Sequence, residues 1–344
     1  MSSQPARASS LFELLLLRVP LVIGMALMLL SIIFVTIRVL PGDPTLGALP
    51  AEAPAEARIK LAKELGLEKP YVVQYLDFVA SVFTGRLGMS WAERGPVSEV
   101  LYAAFPTTVE LTLAGMTVAV IIGLMVGVLS ALERDSIVDI VLRFLTTFWY
   151  SVPIIWLGPI MQLLFGIYLG VLPVSGRIDL ALAPPRITGF VFLDSLWAGS
   201  APALLSALRH MILPSVTLGL VIMSLIARIT RSSLIQVLEE DYILTATAKG
   251  LSQGRIVMRH ALRNASFPVI TIIGLEFGTL LTGAVITERI FNLPGMGSAI
   301  IRAFFARDVA LMQGALALAV LWTALVTIVL DFLYIALDPR VRTV

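Results

Sequence analysis

Residues 239–268 read EEDYILTATAKGLSQGRIVMRHALRNASFP and lie between two long apolar segments. Four basic side chains are spread along this polar stretch: Lys249, Arg255, Arg259 and Arg263. In membrane proteins, Lys and Arg concentrate in the loops on the cytoplasmic side. We therefore interpret the stretch as a cytoplasmic loop of a membrane protein, long enough to bind a partner.

The first half of this loop has the pattern of a short, capped helix. The acids that end at Asp241 precede a helix-prone run, Tyr242–Lys249, and negative charge suits the positive end of a helix dipole. Gly250 follows as a C-terminal cap, and Leu251 is available for the hydrophobic contact that accompanies such caps. The pattern predicts a short helix that ends in a tight turn.

The second half predicts a basic helix that begins near Gln253. Its arginines, Arg255, Arg259 and Arg263, follow one another at intervals of four and would line one face, before Pro268 opens the next span. Two interpretations stay open for this loop: a basic amphipathic surface that faces phospholipids, or a docking element for another protein.

The composition indicates a membrane protein. Of the 344 residues 58% are hydrophobic and 14% charged, against about 25% charged in an ordinary soluble domain. The mean hydropathy is +0.93, and so much apolar surface is expected to face the lipid bilayer. The absence of cysteine excludes disulfides, zinc thiolates and thiol nucleophiles. A net charge of +2 is too small to indicate a nucleic-acid partner.

Apolar runs of about 20 residues predict an all-α protein with about six transmembrane helices. The runs lie near 19–37, from 107 to before Glu133, from after Arg143 to 168, 211–227, 269–287 and 310–337. The first run is longer than the core of a signal peptide, about 7–15 residues, and no small-x-small cleavage site follows it at 40–43. We expect it to be retained as a membrane helix.

The placement of Lys and Arg predicts that both termini are cytoplasmic. The expected organisation is a cytoplasmic tail at 1–18, a first span at 19–39, a periplasmic segment at 40–106, a five-helix core at 107–337 and a cytoplasmic tail at 338–344. The periplasmic segment carries an amphipathic helix within 50–67 that ends at Gly66. The core contains a periplasmic loop near 169–209 and the cytoplasmic loop near 228–264. The Pro- and Gly-rich periplasmic loop is expected to be either a plain surface cap or a docking surface for an external protein.

No catalytic constellation is visible in the sequence. HExxH, GxSxG and GxxxxGK[ST] do not occur, and two histidines cannot form a three-ligand metal site. We expect His210 and His260 to be structural, with His260 in a loop near the lipid headgroups.

Acidic residues inside spans indicate function more strongly than other residues do. Glu110 is expected at the membrane interface, and Asp331 is expected either there or beside Arg340. Glu276 lies about two turns into the fifth span between two glycines that permit close helix packing. It is expected either to line a translocation pathway or to bond to a neighbouring helix.

Several motifs together resemble the permeases of one family of importers. The loop motifs are DYILTATAKGL at 241–251 and RHALRNA at 259–265. Similar matches are LPGDP at 40–44, GRLGMS at 85–90, LPVSG at 172–176, RITRSSL at 228–234, PGMG at 294–297 and DPRVR at 338–342. This set resembles the permeases of the dipeptide/oligopeptide branch of ABC importers, over nearly the whole chain. The chain departs from the general importer signature, Glu-Ala-Ala and a later Gly, by having Leu244-Thr245-Ala246 before Gly250, as that branch does. Glu276 stands where the branch would have Gln.

The resemblance implies the type I ABC importer permease fold and a coupling helix that inserts into an ATPase. The residues implied to couple to the ATPase are Asp241, Tyr242, Thr245, Ala246, Ala248, Lys249, Gly250 and Leu251. The implied partners are a second homologous permease subunit, two ABC ATPase subunits and an external substrate-binding protein. No cofactor is expected on this chain, since the ATPase subunits use the ATP and Mg.

The implied substrates are di- and oligopeptides, with nickel chelates, glutathione, opines or oligosaccharides as alternatives. The implied location is the inner membrane. Two other classes of protein make different demands on the residues. An ion-coupled secondary transporter would need paired intramembrane charges, and an intramembrane enzyme would need a convergent catalytic set.

Overall fold

The structure is a computed structural model that describes residues 11–39, 49, 54–64 and 66–337. The predicted tails at 1–10 and 338–344, the motif at 40–44 and the Arg340 partner of Asp331 lie outside the described residues. Two compact units share the chain: the first is formed by residues 1–106 and 295–344, and the second by residues 107–294.

The first unit consists of helices around a short hairpin. Its helices are α1 (Leu11–Val39), α2 (Ala55–Glu64), α3 (Tyr71–Thr84), the start of α4 (Val97–Leu132), α12 (Met296–Phe305) and α13 (Val309–Leu337). The hairpin pairs β1 (Met89–Ser90) with β2 (Gly95–Pro96). Buried Asp308 holds this hairpin in place, since it accepts hydrogen bonds from Ser90 Oγ at 2.6 Å and from the backbone N–H of Ala92 at 3.1 Å.

The second unit contains the rest of α4 and the central helices. They are α5 (Ile137–Ser151), α6 (Ile154–Met161), α7 (Val191–Trp197), α8 (Ala201–Leu238), α9 (Asp241–Ala248), α10 (Gln253–Arg255) and α11 (Leu262–Ile290). A π-helical stretch, Gln162–Tyr168, continues α6, another, Ile256–Ala261, joins α10 to α11, and a 3₁₀ turn covers Leu180–Leu182. The core packs Leu111, Leu157, Leu218, Leu280 and Phe291 together.

Four described helices are long and apolar enough to cross a membrane, and six do if each of two bent pairs counts as one span. The predicted count of about six is therefore confirmed, but the third span is not the straight helix expected after Arg143. It begins at Ile137 and bends by 102° between α5 and α6. Pro153 lies at the bend, where its missing N–H and fixed φ interrupt a helix.

Glycines on α4 let α8 approach closely. A Cβ built on Gly123 would lie 2.9 Å from Ile226, and one built on Gly127 would lie 2.6 Å from Cβ of Thr230. Small residues at helix contacts allow backbones in a membrane to pack closely where lipid supplies no hydrophobic driving force. The contact holds α8 in place along the half that leads to the polar loop.

Helices extend beyond the apolar runs that predicted them. Helix α4 begins at Val97 and α8 at Ala201, about ten residues earlier than expected, because Glu99 in the first and Arg209 in the second interrupt the uncharged runs used for the prediction. Helix α2 lies within the stretch 50–67 where an amphipathic helix was expected; it ends at Glu64, and Gly66 has a φ of +65°. Helices α3 and α12 and the hairpin were not predicted.

Candidate functional site

Helix α9 is the short capped helix that the sequence predicts in the loop after α8. It begins at Asp241 and ends in a Schellman motif: the Gly250 N–H donates to the Thr247 carbonyl at 2.9 Å, and the Leu251 N–H donates to the Ala246 carbonyl at 3.3 Å. Gly250 has a φ of +74°, which is the left-handed region that glycine adopts without strain. The helix therefore ends in a turn of fixed geometry.

The inner face of α9 is held by packing and by one side-chain hydrogen bond. Ile243 is 4% exposed and packs in a cluster with Leu234 of α8 and Ile256 of the π-helical stretch. The Tyr242 hydroxyl accepts a hydrogen bond of 2.7 Å from Nδ2 of Asn264 in α11. Helix α9 is thus attached to α8 on one side and to the start of α11 on the other.

The opposite face of α9 is open. Its exposed side chains, spaced three or four residues apart, are those of Asp241, Leu244, Thr245 and Ala248. We call these four residues the outer face of α9. Leu244 is 61% exposed although it is apolar, and the sequence analysis missed it as a site residue. Its spacing from Asp241 and Ala248 is the signal that could have identified it.

The remaining predicted coupling residues divide between the two sides. Lys249 and Gly250 are exposed after the end of the helix. Ala246 and Leu251 are partly buried against the cluster that holds Ile243. The structure therefore places these two as supports of α9 and not on its outer face.

The three arginines of the second half are all exposed, but they do not lie on a separate surface helix. The stretch Ile256–Ala261 is π-helical and runs directly into α11, with Pro268 inside that helix. A π-helix bonds each N–H to the carbonyl five residues back, which makes a wider turn, so a spacing of four does not keep Arg255, Arg259 and Arg263 in one line. The expectation of His260 in a loop is wrong for the same reason, since it lies in this helical stretch.

A buried ion pair lies between α5 and the loop end of α8. Asp139 is fully buried, and Arg231 donates to it twice, from Nε to Oδ1 at 2.8 Å and from Nη2 to Oδ2 at 2.7 Å. Ser130 Oγ and the Asp135 N–H also donate to this carboxylate, at 2.5 and 3.1 Å. This ion pair was not predicted from the sequence. The available signal was the capping pattern of Ser136 followed three residues later by Asp139.

A second ion pair lies at the surface beside the first. Arg134, in the turn between α4 and α5, donates to Glu239 at the end of α8. The hydrogen bond and the charge of Glu239 raise the pKa of the Arg134 guanidinium above its usual value. Because both side chains are at least half exposed, this pair adds little stability. It links the turn between α4 and α5 to the residues that precede α9.

The acids expected within spans have different surroundings. Glu110, which was expected at the membrane interface, is 6% exposed and has two partners within the protein: Arg177 Nη2 donates to it at 2.5 Å and the Phe192 N–H at 3.0 Å. Glu276 lies half-buried at the midpoint of α11. It lies seven residues, about two turns, after residue 269, where the fifth span was predicted to begin, and α11 itself begins earlier, at Leu262.

A buried acid in α7 fixes the backbone within the segment that was predicted to be a periplasmic loop. Asp194, 3% exposed, accepts hydrogen bonds from the Thr188 hydroxyl at 2.7 Å and from the N–H groups of Thr188 and Gly189 at 2.8 and 3.0 Å. Burial raises the pKa of the Asp194 carboxyl, but these hydrogen bonds outweigh it and hold the pKa below its ordinary value. Among the described residues, no group of three or more His, Asp or Glu side chains could hold a metal ion.

Two family descriptions match this chain. Residues 123–343 match the family described as binding-protein-dependent transport system inner membrane component, and residues 11–112 match the description of the N-terminal part of such components. Together the two matches cover residues 11–343 except for 113–122, which lie within α4.

Curated relatives match over nearly their whole length. The di/tripeptide transport system permease protein DppB of Pseudomonas aeruginosa is 43% identical over 90% of this chain and 92% of its own. The dipeptide transport system permease protein DppB of Escherichia coli is 40% identical over 96% of this chain and 99% of its own. The glutathione transport system permease protein GsiC of Salmonella choleraesuis is 36% identical over 90% and 92%.

A solved structure shares the fold. A chain of the MetNI methionine ABC transporter, in an inward-facing conformation, superposes with a TM-score of 0.54 at 17% identity, over 70% of this chain and 96% of the other. At this identity the similarity shows the fold alone, which is that of a type I ABC importer permease.

Proposed function

This chain belongs to the family of binding-protein-dependent transport system inner membrane components, and we propose that it forms half of the translocation pathway of a di- or oligopeptide importer. It is a multi-pass inner-membrane protein and a permease subunit of an ABC importer; its role is that of a membrane permease and not of an enzyme. The family implies ATPase partners, a substrate-binding partner and a second permease.

The single observation that carries the proposal is the geometry of α9. One face is fixed by Ile243 and Tyr242, and the outer face is exposed with an apolar side chain, Leu244, at its centre. A short helix whose inner face is packed against the protein and whose outer face is exposed can transmit the movement of a partner without deforming. We propose that the outer face inserts into a groove of one of two ATPase subunits.

The proposed cycle uses ATP only through the partners. ATP and Mg bind to the ATPase subunits, their closure moves α9, and α8 and α11 move with it because the packing around Ile243 and Leu234 joins them. The pathway then changes from inward-open to outward-open and accepts substrate from the external binding protein. In this arrangement the N-terminal tail at 1–18 and the C-terminal tail at 338–344 both lie in the cytoplasm.

The peptide substrate is proposed from the relatives. The relatives with 43% and 40% identity are named as permeases for di/tripeptides and dipeptides. A second candidate is glutathione, since a relative at 36% identity is named as a glutathione permease. Both are small peptides, so the binding protein is expected to choose between them.

The chain offers a clean test of docking because it contains no cysteine. A single Thr245→Cys on the outer face of α9, labelled with a benzophenone maleimide, should on irradiation form a crosslink to an ATPase subunit in the full importer, purified through a tag on this chain. Ser232→Cys, exposed on α8, is the matched control and should not crosslink. Equal crosslinking at both positions, or none at Thr245→Cys, would contradict the docking of α9.

Transport is tested on the same importer in vesicles. ATP-dependent uptake of a labelled dipeptide should exceed that of labelled glutathione when the cognate binding protein is present. Uptake that survives ATP depletion would favour an ion-coupled transporter and overturn the proposal.

A further inference from the structure

A cleft of about 700 Å³ lies within the first unit, far along the chain from α9. Helices α2 and α3, the segment from Arg86 to Trp91 and the first turns of α13 form its walls. We propose that this cleft binds the headgroup of an anionic phospholipid, with the phosphate among its basic side chains and a headgroup hydroxyl beside Gln74.

The charge in the cleft favours an anion. Three basic side chains, those of Lys63, Lys69 and Arg86, line it together with one carboxylate, that of Asp77. Lys69 is bonded to Asp77 at 2.7 Å, which leaves Lys63 and Arg86 as the excess positive charge. A phosphate group accepts hydrogen bonds from both kinds of side chain.

Three lining side chains hold buried polar atoms that have no hydrogen-bond partner within the described part of the chain. They are Oε1 of Gln74, Nε1 of Trp91 and Nε2 of Gln313. Gln74 is 6% exposed, and its amide nitrogen already donates to the carbonyls of Leu67 and Lys69. Buried polar atoms normally have partners, and a rotation of these lining side chains would turn one acceptor and two donors towards a ligand in the cleft.

These unpaired groups match a phospholipid headgroup. The oxygens of a phosphodiester can accept from Trp91 and Gln313, and a glycerol hydroxyl can donate to Gln74. Apolar side chains of Leu61, Phe78 and Leu87 line the same cleft and suit the upper part of an acyl chain. An anion without a donor group would leave Gln74 without a partner, and one without an apolar part would make no contact with the apolar side chains.

The position of the cleft in the unit indicates lipid as the source of the phosphate. Ala310 and Gln313 lie in the first turns of α13, where a membrane span begins. Helix α3 is attached to the span α1 by a 2.7 Å hydrogen bond between Ser31 and Tyr75 and by stacking of Phe34 on Phe78.

The other side of α3 is exposed and apolar. The exposed fractions are 72% for Tyr71, 70% for Val72, 59% for Leu76 and 63% for Phe83. A helix with such a face beside a span is typical of one that lies in the membrane interface, the depth at which headgroups are found. The cleft therefore opens where phospholipid phosphates are concentrated.

The test compares lipids of different charge on the full-length protein. The purified chain is titrated with short-chain phosphatidylglycerol or phosphatidylcholine in neutral detergent, and the shift in Tm and the bound lipid seen by native mass spectrometry are recorded. We expect phosphatidylglycerol to bind and to raise Tm, and phosphatidylcholine to do so much less.

Variants separate the cleft from general surface attraction. Lys63→Gln combined with Arg86→Gln should weaken phosphatidylglycerol binding about tenfold, from the loss of two basic side chains. Lys60→Gln, exposed one turn earlier on α2 and outside the cleft, is the matched control and should bind like the wild type. Gln313→Met, which removes a donor without a change of charge, should also weaken binding.

Three results would overturn the proposal. One is equal binding of the two lipids by the wild type. Another is an effect of Lys60→Gln as large as that of the double variant. The third is a rise in Tm with free dialanine that exceeds the rise with phosphatidylglycerol, which would identify the cleft as a site for a small zwitterion instead of a lipid.

Discussion

Arg231 on α8 and Asp139 on α5 form a two-point ion pair, with donor–acceptor distances of 2.8 and 2.7 Å, at the end of α8 that leads into α9. Asp139 is fully buried, and Arg231 is mostly buried beside it. The pair fixes α5 to α8 just before the chain enters the proposed docking element. A movement of α9 is therefore expected to reach α5 as well as α8 and α11.

Replacing one member of this pair should be strongly destabilising. Arg231→Met should reduce the free energy of unfolding by about 3–5 kcal/mol, because it leaves the buried Asp139 carboxylate without its cation. Denaturant unfolding of the purified protein in detergent measures the change. The combined variant Asp139→Asn and Arg231→Met should be closer to the wild type than Arg231→Met alone.

A matched control is available beside the pair. Arg143 lies 3.5 Å from Asp139 but is half exposed, so Arg143→Gln should cost less than about 1 kcal/mol. If Arg143→Gln destabilises as much as Arg231→Met, the burial of the two-point pair is not the cause.

Gly250 is expected to be necessary for coupling. A Cβ at this position would meet nothing within 4 Å, so the cost of a side chain comes from the φ of +74° and amounts to about 1–2 kcal/mol. Gly250→Leu should uncouple the importer: ATP hydrolysis continues while uptake per ATP falls. Gly250→Asn should retain more coupling, since Asn tolerates left-handed backbone.

The control for Gly250 lies four residues further along the chain. Gly254 also has open space around a built Cβ, but it does not have a positive φ. Gly254→Leu should leave the ratio of uptake to ATP hydrolysis near that of the wild type. Wild-type coupling in Gly250→Leu would reject the role of the turn.

The lowered pKa of Asp194 predicts that the stability of the folded protein decreases at acidic pH. Its pKa is lowered in the folded protein, so its stabilising effect is complete above the unfolded value, about 3.9, and is lost as the pH falls through the folded value. The difference in Tm between the wild type and Asp194→Asn should be constant from pH 7 to about pH 5 and should shrink below about pH 4. A constant difference down to pH 3 would contradict the lowered pKa.

Glu276 remains a candidate for the translocation pathway. Glu276→Gln should lower uptake without reducing the amount of folded protein in the membrane, because a carboxylate at the midpoint of a span is expected to face a wet pathway or a partner. Uptake in vesicles and the yield of monodisperse protein measure the two effects. Glu133→Gln, exposed after the end of α4, is the control. Unchanged uptake in Glu276→Gln would reject a role in the pathway.

Local patterns were sufficient for part of this structure. Uncharged runs predicted the spans because lipid requires about 20 apolar residues in a row, and acids, Gly250 and Leu251 predicted α9 and its turn because capping depends on neighbouring residues alone. The same local motifs carried the resemblance to importer permeases. Helix α3, by contrast, was not predicted although Pro70 precedes it and Gly85 caps its end, because its 14 residues are too short for a span.

The amino-acid sequence by itself determined that the protein spans a membrane, where its long apolar segments lie and which short helix is capped. Only the tertiary structure decided which residues face outward and which acids have partners. Glu110 pairs with Arg177, and Asp139 with Arg231, across separations of 67 and 92 residues. Such pairs follow from the packing of segments that are distant in the sequence, and neither periodicity nor capping along one segment carries information about the other.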